Sequence, residues 1–374
     1  MNILYLLTYD YSFKSWNDSG NLSRELQYFN EFKLKYPNVN FIFLSYGDSE
    51  DLEYSNFLDN SKIYPVYSYM KFSKNRLKRL LKSFLIPFVL YRKLKIENIQ
   101  IIKQNQLQGV WVSIILKILL KTPLITRTGY DVFQFKLKEN SKIATKFFYY
   151  IVTQLAIIFS SIYSVTSNID KNFLEKYFLF SKQKILIRPN FVITQDKKSL
   201  SERDEKIISV GRLEEQKNLN YLINELGDLD VSVDHYGNGS KYNELVQLAK
   251  DRNINIQFKE SVDNLSLTKK YKDYQFFIST SLFEGNPKSL LEALAAGCIV
   301  LAPSIPNIKE IVQHEYNGFL FDLEKQSLSN LFIKINSNQY DLEKISNNAI
   351  YSVKVNNDLN NLIDNEFNDL ALLN

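Results

Sequence analysis

Residues 275–303, QFFISTSLFEGNPKSLLEALAAGCIVLAP, decide the fold. An apolar run leads through a short polar loop into a segment with helical spacing, and a second apolar run closes the stretch. Strand, loop, helix and strand in so short a span make a βαβ unit. Asn286 is a favoured N-cap, Pro287 suits the first helical position and Gly297 suits the position past the helix end. The spacing therefore predicts a helix from about Pro287 to Ala296. Two glutamates stand here, Glu284 in the strand-to-helix loop and Glu292 within the apolar helix. At about 100° per residue, Ser289, Glu292, Ala293 and Ala296 share a small-residue face, while Leu290, Leu291 and Leu294 point to the core. Glu292 is thus expected to look out through that face, where a diol could satisfy it by hydrogen bonds. A partly exposed surface glutamate is the other reading the periodicity allows.

Outward from this unit, the same alternation recurs. Strand-like runs stand at 3–9, 40–46, within GVWVSI (109–114), and at 123–128, 162–167 and 184–190. After the polar stretch 194–206, which reads as a linker, a second series follows at 207–213, 231–237, 254–260, 275–280 and 298–303. A chain of 374 residues exceeds one ordinary core. The expected fold is α/β, with two doubly wound Rossmann-like domains at 1–190 and 191–355 facing a central crevice. The Asn-rich tail, about 356–374, is expected as a final helix packing back on the first domain. Ligands in such sheets bind beyond the carboxyl ends of the strands.

Composition narrows the function classes. With 45% hydrophobic and 23% charged residues, the chain is neither disordered nor a multispan membrane protein. Its one cysteine, Cys298, cannot form an internal disulfide. His235 and His314 are the two histidines, too few for a multi-histidine metal site, so no metal is expected. The start, MNILYLLTYDYSF, reads as a first strand and not a signal peptide. Residues 147–163, FFYYIVTQLAIIFSSIY, fall short of the roughly 20 a span needs, and are expected as a buried helix. Residues 71–95 are rich in Lys and Arg, contain no acid and interleave Leu, Ile and Phe. Two readings stand for them: a peripheral contact with anionic membrane or a lipid-linked acceptor, or a solvated basic helix broken near Pro87. No nucleic-acid motif accompanies the patch.

Three further stretches could carry chemistry. In VGRLEEQKNLNYLI (210–223), Gly211 allows a sharp turn at a strand's end, and Arg212 and Lys217 stand before a helix N-terminus. Two cations beside unpaired N–H groups outline a diphosphate site. A salt-bridged loop is the alternative, because Glu214 and Glu215 lie between the cations. YGNGSKY (236–242) lacks the third glycine of a dinucleotide fingerprint and reads as a tight turn. In WNDSGNLSREL (16–26), Gly20 lets backbone approach a phosphate or sugar, with Asn21 or Ser23 capping the next helix.

Together, VGRLEEQKN and FEGNPKSLLEALAAGCIVLAPSIPNIKEIVQHEYNGFLF resemble the donor-binding half of the family-4 retaining glycosyltransferases, which have the GT-B fold. The resemblance covers about 207–322 and reaches back to IRPNFV (187–192). It implies that Arg212 and Lys217 hold a donor diphosphate, that Glu284 lies near the donor sugar and that Glu292 accepts from the ribose. Backbone of Gly285, Asn286, Pro287 and Lys288 would run along the sugar, and that of Ser289 and Leu290 near the phosphates. Glu260 to Val262 would meet the base, and Gly20 would approach the phosphates from the first domain. Many members carry a first-domain histidine near the sugar. Here the comparable LITRTGYDVF (124–133) has none, and Arg127, Gly129, Tyr130 and Asp131 occupy the region as the candidate acceptor or sugar side.

What the resemblance implies is transfer of a hexosyl unit from a nucleotide-diphosphate sugar to a glycan or lipid-linked acceptor. It further implies retention at the anomeric carbon, no cofactor or metal, and a place in surface polysaccharide biosynthesis on the cytoplasmic side of the membrane. A catalytically inactive nucleotide-binding partner on the same fold is the alternative. A phosphorolytic enzyme using pyridoxal phosphate is a third.

Overall fold

A computed structural model describes every residue except Asn60, Asn140, Gln183, Gln195, Lys325, Asn338 and Asn374. The chain divides into two compact units, Met1–Arg188 with Asn360–Asn374, and Pro189–Leu359.

Unit 1 begins with β1 (Asn2–Leu6), α1 (Phe13–Asp18), α2 (Leu22–Lys35), β2 (Asn40–Ser45) and β3 (Lys62–Pro65). It continues through α3 (Arg76–Ser83), α4 (Ile86–Ile96), β4 (Ile101–Asn105), α5 (Val110–Leu120) and β5 (Leu124–Arg127). It then runs through α6 (Val132–Lys138), α7 (Ile143–Phe159), β6 (Ile162–Val165), α8 (Asn168–Tyr177) and β7 (Ile185–Ile187). The seven strands pair in parallel in the order β3-β2-β1-β4-β5-β6-β7. Strand β1 is buried from Ile3 to Leu6, as a parallel strand covered on both faces must be.

Unit 2 holds β8 (Asp204–Val210), α9 (Leu219–Leu226), β9 (Ser232–Tyr236), α10 (Tyr242–Asp251), β10 (Asn255–Lys259) and α11 (Asn264–Tyr271). After these come β11 (Tyr274–Ile278), α12 (Lys288–Ala295), β12 (Ile299–Pro303), α13 (Pro306–Lys309) and β13 (Phe319–Phe321). Helices α14 (Ser327–Asn336) and α15 (Leu342–Asn356) follow. Its six strands run β10-β9-β8-β11-β12-β13, all parallel. Helix α16 (Leu359–Ala371) starts at the boundary and belongs to unit 1 from Asn360 onward. In both sheets the strand order reverses beside the first strand of the unit, at β1/β4 and at β8/β11, the point where doubly wound sheets leave an open crevice.

Several expectations need correction. GVWVSI is helix α5, not strand: Gly109 at φ 97° starts it, and Val110, Val112, Ser113, Ile114 and Leu116 are buried. A helix buried nearly all round shows no periodicity, and its β-branched residues imitate a strand. The strand of that region is IIKQN, β4, disguised by the buried polar residues Lys103 and Gln104. The short edge strands β3 and β13 escaped notice, and α1 occupies what read as a polar loop. The basic segment breaks at Phe84–Leu85, with Pro87 inside the first turn of α4. Residues 194–206, apart from Gln195, which lies outside the described residues, are no free linker. Leu200 is buried with its N–H on Glu343, and β8 starts at Asp204. The tail does form the expected final helix, α16, from Leu359 to Ala371, with Asn374 outside the described residues. Helix α7 is buried only along one side, at Val152, Thr153, Ala156 and Ile157, while Ile143 and Phe147 are largely exposed. No helix among the described residues is long and apolar enough to cross a membrane.

Lys103 explains how α16 is held. Its Nζ donates to Glu366 Oε2 at 2.6 Å and to Tyr28 Oη at 3.0 Å, and Tyr28 in turn donates to Glu366. Arg127 Nε stands 3.8 Å from Glu366 Oε1. Burial by itself would raise the Glu366 pKa, but Lys103 and then Arg127 hold it below the usual carboxylate range. Arg188 adds a bidentate pair to Asp369 at 2.8 and 2.6 Å. Removing one partner of such a buried group strands the others without compensation. Glu366→Ala should lower the unfolding free energy of unit 1 by about 3 kcal/mol, whereas Glu366→Ala with Lys103→Met should recover much of the loss. Urea unfolding followed by circular dichroism reads the difference.

Candidate functional site

The switch point of unit 2 puts two loops side by side, the one after β8 and the one after β11. They are joined along their length. Leu282 N–H donates to Gln216 O at 2.9 Å, Gln216 Nε2 donates to Phe283 O at 2.8 Å, and Thr280 Oγ1 donates to Lys217 O at 2.9 Å. At the tip, Lys217 Nζ and Glu284 Oε1 meet at 2.5 Å, with the carboxylate side chain only 8% exposed. Two residues 67 positions apart in sequence thus form one charged pair.

Glycines shape the β8 side. The Lys217 stem lies over Gly211, where a Cβ would stand 3.2 Å from Lys217 Cε. Behind it, a Cβ on Gly237 would come to 2.0 Å from Gly211 O, and one on Gly239 to 2.4 Å from Leu213 O. YGNGSKY is therefore a turn whose glycines let the β9–α10 loop press against the β8 loop. The intervening acids take other hydrogen-bond and ion-pair partners: Glu214 accepts from Ser240 N–H and Oγ at 3.0 and 2.9 Å, and Glu215 pairs with Lys241 at 3.4 Å. Arg212 is exposed, and its guanidinium has no hydrogen-bond or ion-pair partner among the described residues.

On the β11 side, α12 starts one residue later than its sequence suggests. Pro287 is the N-cap, and Asn286 does not cap at all. Its Oδ1 accepts from Asn190 N–H at 2.9 Å, and its carbonyl accepts from Asn190 Nδ2 at 2.6 Å. Asn357 Nδ2 donates to Asn190 O at 2.8 Å. The IRPN stretch thereby pins Gly285 to Pro287, all buried, and turns the first N–H groups of α12, at Lys288, Ser289 and Leu290, toward this loop end. In the sequence Asn190 stands in the junction IRPNFV with no local mark of this role. Its tertiary partner Asn286 gave no local signal.

Glu292 is not at an exposed face. It is 6% exposed, and Asn264 Nδ2, at the start of α11, donates to its Oε1 at 2.7 Å. A polar partner from another helix, not open solvent, resolves its place in the apolar run. Glu260 is exposed and Val262 half-buried in the loop between β10 and α11 that leads to Asn264. His235, which sequence reading assigned no role, lies under the β8 loop with Nε2 donating to Gly211 O at 3.0 Å. Burial lowers its pKa to about 4, against the Gly211 carbonyl and with help from the Lys217 charge.

In unit 1, Gly20 adopts φ 71° between α1 and α2, with its N–H on Asn17 O at 3.0 Å. Neither Asn21 nor Ser23 caps α2: Asn21 is the N-cap residue, but its side chain donates instead to Ser19 Oγ. Arg127 faces Glu366. Asp131 is the buried N-cap of α6, accepting from Gln134 N–H at 2.6 Å, and burial raises its carboxyl to about 7. Gly129 is held by Gln106 Oε1 at 3.0 Å and by Thr166 Oγ1 at 2.9 Å. Tyr130, stacked on Phe135, is the member of this group that reaches solvent. No group of three or more His, Cys, Asp or Glu that could hold a metal lies among the described residues.

The His235 environment sets a pH dependence. Between about pH 6.5 and 4 the unfolded chain takes up a proton that the folded imidazole refuses, so stability falls as pH falls through that window, by up to about 3 kcal/mol. His235→Gln, which keeps a donor for Gly211, should flatten that part of the profile in thermal melts recorded against pH.

Comparison with known proteins assigns the frame. Residues 192–351 match the family model "Glycosyl transferases group 1". The chain is 25% identical over 261 residues to the capsular polysaccharide biosynthesis glycosyltransferase CapH of Staphylococcus aureus, covering 65% of this chain and 70% of that one. It is 25% identical over 124 residues to the GtfA subunit of a UDP-N-acetylglucosamine–peptide N-acetylglucosaminyltransferase of Streptococcus agalactiae. That match covers 32% of this chain and spans only 24% of the relative's length. Among solved structures, Anabaena Alr3699/HepE in complex with UDP and glucose superposes with a TM-score of 0.76 at 16% identity, covering 100% of both chains. Residues 192–351 are thus similar to the glycosyl transferases group 1 family, on a chain with the GT-B fold of two Rossmann-like α/β domains.

Proposed function

We propose that this chain is a retaining, metal-independent glycosyltransferase of family 4. It moves a hexosyl unit from a nucleotide-diphosphate sugar to a glycan or lipid-linked acceptor in surface polysaccharide biosynthesis. The observation that carries the reading is the joined pair of loops at β8/β11, where Arg212, Lys217, Glu284 and the first turn of α12 converge on one loop end. A diphosphate is the ligand whose charge suits two cations and a helix N-terminus. A uridine nucleotide sugar is the donor to test first, since UDP stands in the Streptococcus relative's name and in the Anabaena structure. The capsular relative supports the polysaccharide assignment.

In this reading Arg212 and Lys217 hold the diphosphate, backbone N–H groups of Ser289 and Leu290 meet its oxygens, and Glu292 accepts from a ribose hydroxyl. Glu284, backed by Gly285 to Lys288, meets the donor sugar, and Glu260 to Val262 flank the base. On the acceptor side, Gly129 and Tyr130 present the loop that Arg127 and Asp131 hold from behind. The bond from the anomeric carbon to the diphosphate oxygen breaks and the acceptor oxygen bonds on the same face. The acceptor proton passes to the departing phosphate. Charge grows on the diphosphate as that bond lengthens, so fixed cations stabilise the transition state more than the ground state. Before the donor binds, the Lys217 ammonium is neutralised by Glu284, and the diphosphate takes over that role. The exposed basic segment 71–95 is the contact with an anionic membrane on its cytoplasmic face.

The test is transfer by purified protein with a donor panel. Lys217→Ala should lower kcat by about 10² to 10³, and unchanged turnover would remove the diphosphate assignment. Glu292→Gln should raise KM for the donor about tenfold with little change in kcat, as expected for a group that binds ground and transition state alike. Transfer should persist in excess chelator.

A further inference from the structure

Helices α3, α4, α5 and α7 contain no Asp or Glu. They form one layer. Trp111 Nε1 of α5 donates to Ser83 Oγ of α3 at 2.8 Å, and Leu90 of α4, Val112 of α5 and Ala156 of α7 share a single core. That core lies against the sheet face of Leu4, Leu6 and Ile102. The opposite face, carrying Tyr5 and Lys103, is covered by α2 and α16, both of which carry acids. The four helices α3, α4, α5 and α7 are thus acid-free, whereas α8, whose Leu174 joins the same core, carries Asp170 and Glu175.

The outer surface of this layer is also apolar where a solvated surface would be polar. On α7, Ile143, Phe147, Ile151, Leu155 and Ile158 recur at spacings of four and three and lie on one arc of roughly 120°. Ile143 is 85% exposed and Phe147 64%. On α3, Leu77 is 67% exposed and Leu81 63%, and Phe88 of α4 is 59% exposed. Between them stand Arg76, Lys78, Lys82, Arg92, Lys93 and Lys95, none of which has a carboxylate partner among the described residues. Arg79 differs: it is bidentate to Asp10 in the loop after β1 and ties α3 to the strand ends of unit 1.

So many large apolar side chains exposed along one layer of helices call for a cover, and the chemistry selects one. A second copy docking face to face would bring these cations together, a like-charge juxtaposition that opposes association. An anionic lipid surface offers hydrocarbon for the stripe and counter-charge for the lysines at once. We propose that the α3–α4–α5–α7 side of unit 1 docks on an anionic lipid surface, with the outer stripe of α7 inserted at the boundary between headgroups and acyl chains. This deepens the membrane contact assigned above to residues 71–95 and rests on that reading for the choice of lipid. It adds an insertion element some fifty residues further along the chain.

The experiment is flotation of the full chain with vesicles of phosphatidylcholine alone and with phosphatidylglycerol added. Binding is expected only to the anionic vesicles and should weaken with salt. Arg76→Ser, Lys78→Ser and Lys82→Ser should each cost about fivefold in partitioning. Phe147→Ser with Ile151→Ser should cost at least about tenfold while leaving the far-ultraviolet circular dichroism unchanged, because both side chains already face outward. Cys298 is fully buried, so Phe147→Cys gives one accessible thiol for an environment-sensitive dye, whose emission should shift to the blue on anionic vesicles. Undiminished binding by the double serine variant with an unshifted dye would overturn insertion. A lipid-free dimer that the same variant abolishes would assign the stripe to a second copy and overturn the lipid. Transfer to a water-soluble acceptor is measured alongside. Lipid binding without transfer would sink the transferase reading and leave docking intact, and transfer without lipid binding would do the reverse.

Discussion

The contact on which the candidate site depends is the seam between the β8 and β11 loops, closed by Lys217 and Glu284. Neither loop has a regular partner of its own, since each lies beyond the end of a parallel strand where ladder bonding stops. They become one surface because strand order reverses between β8 and β11, which brings two carboxyl ends together without a helix to separate them. The side chains of Gln216 and Thr280, each donating to a carbonyl of the other loop, fix the spacing, and the charged pair fixes the tip.

Around that seam, polar groups are buried in matched pairs. Asn190 meets Asn286, Asn264 meets Glu292, and His235 meets the Gly211 carbonyl. Each pair joins segments far apart in sequence, so each side chain is costly until the tertiary fold supplies its partner. The exception is Arg212, exposed and without a hydrogen-bond or ion-pair partner among the described residues, an arrangement that suits an anionic ligand. Unit 1 uses the same economy of burial differently. Its buried ionic cluster of Lys103, Glu366 and Tyr28 holds the returning α16, and so serves architecture where the unit 2 pairs serve the site.

Unit 1 also separates its two surfaces by charge. Acids gather on the face covered by α2 and α16, where they meet Lys35, Lys103 and Arg188. On the other face Arg76, Lys78 and Lys82 of α3 have no carboxylate partner among the described residues, and apolar side chains of α3, α4 and α7 point outward. A helix such as α7 carries a core face and a second apolar face on the same seventeen residues. Hydropathy alone therefore read it as wholly buried.

What the sequence determined by itself was what local chemistry can encode. The apolar runs and their alternation with helical segments gave two doubly wound sheets. Gly211, Arg212, Lys217, Glu284 and Glu292 stood out because strand-end glycines, paired cations and a misplaced carboxylate are visible residue by residue. Tertiary structure decided the rest, because the deciding partners lie far along the chain. IIKQN became a central strand and GVWVSI a helix only once Lys103 had Glu366 to pair with and α5 had a core on nearly every side. Asn286 left its capping role because Asn190 claimed its side chain. Glu292 could be buried because Asn264 reached it. A side chain's cost of burial depends on a partner that sequence proximity does not supply, and that is why these outcomes were not legible before the fold was known.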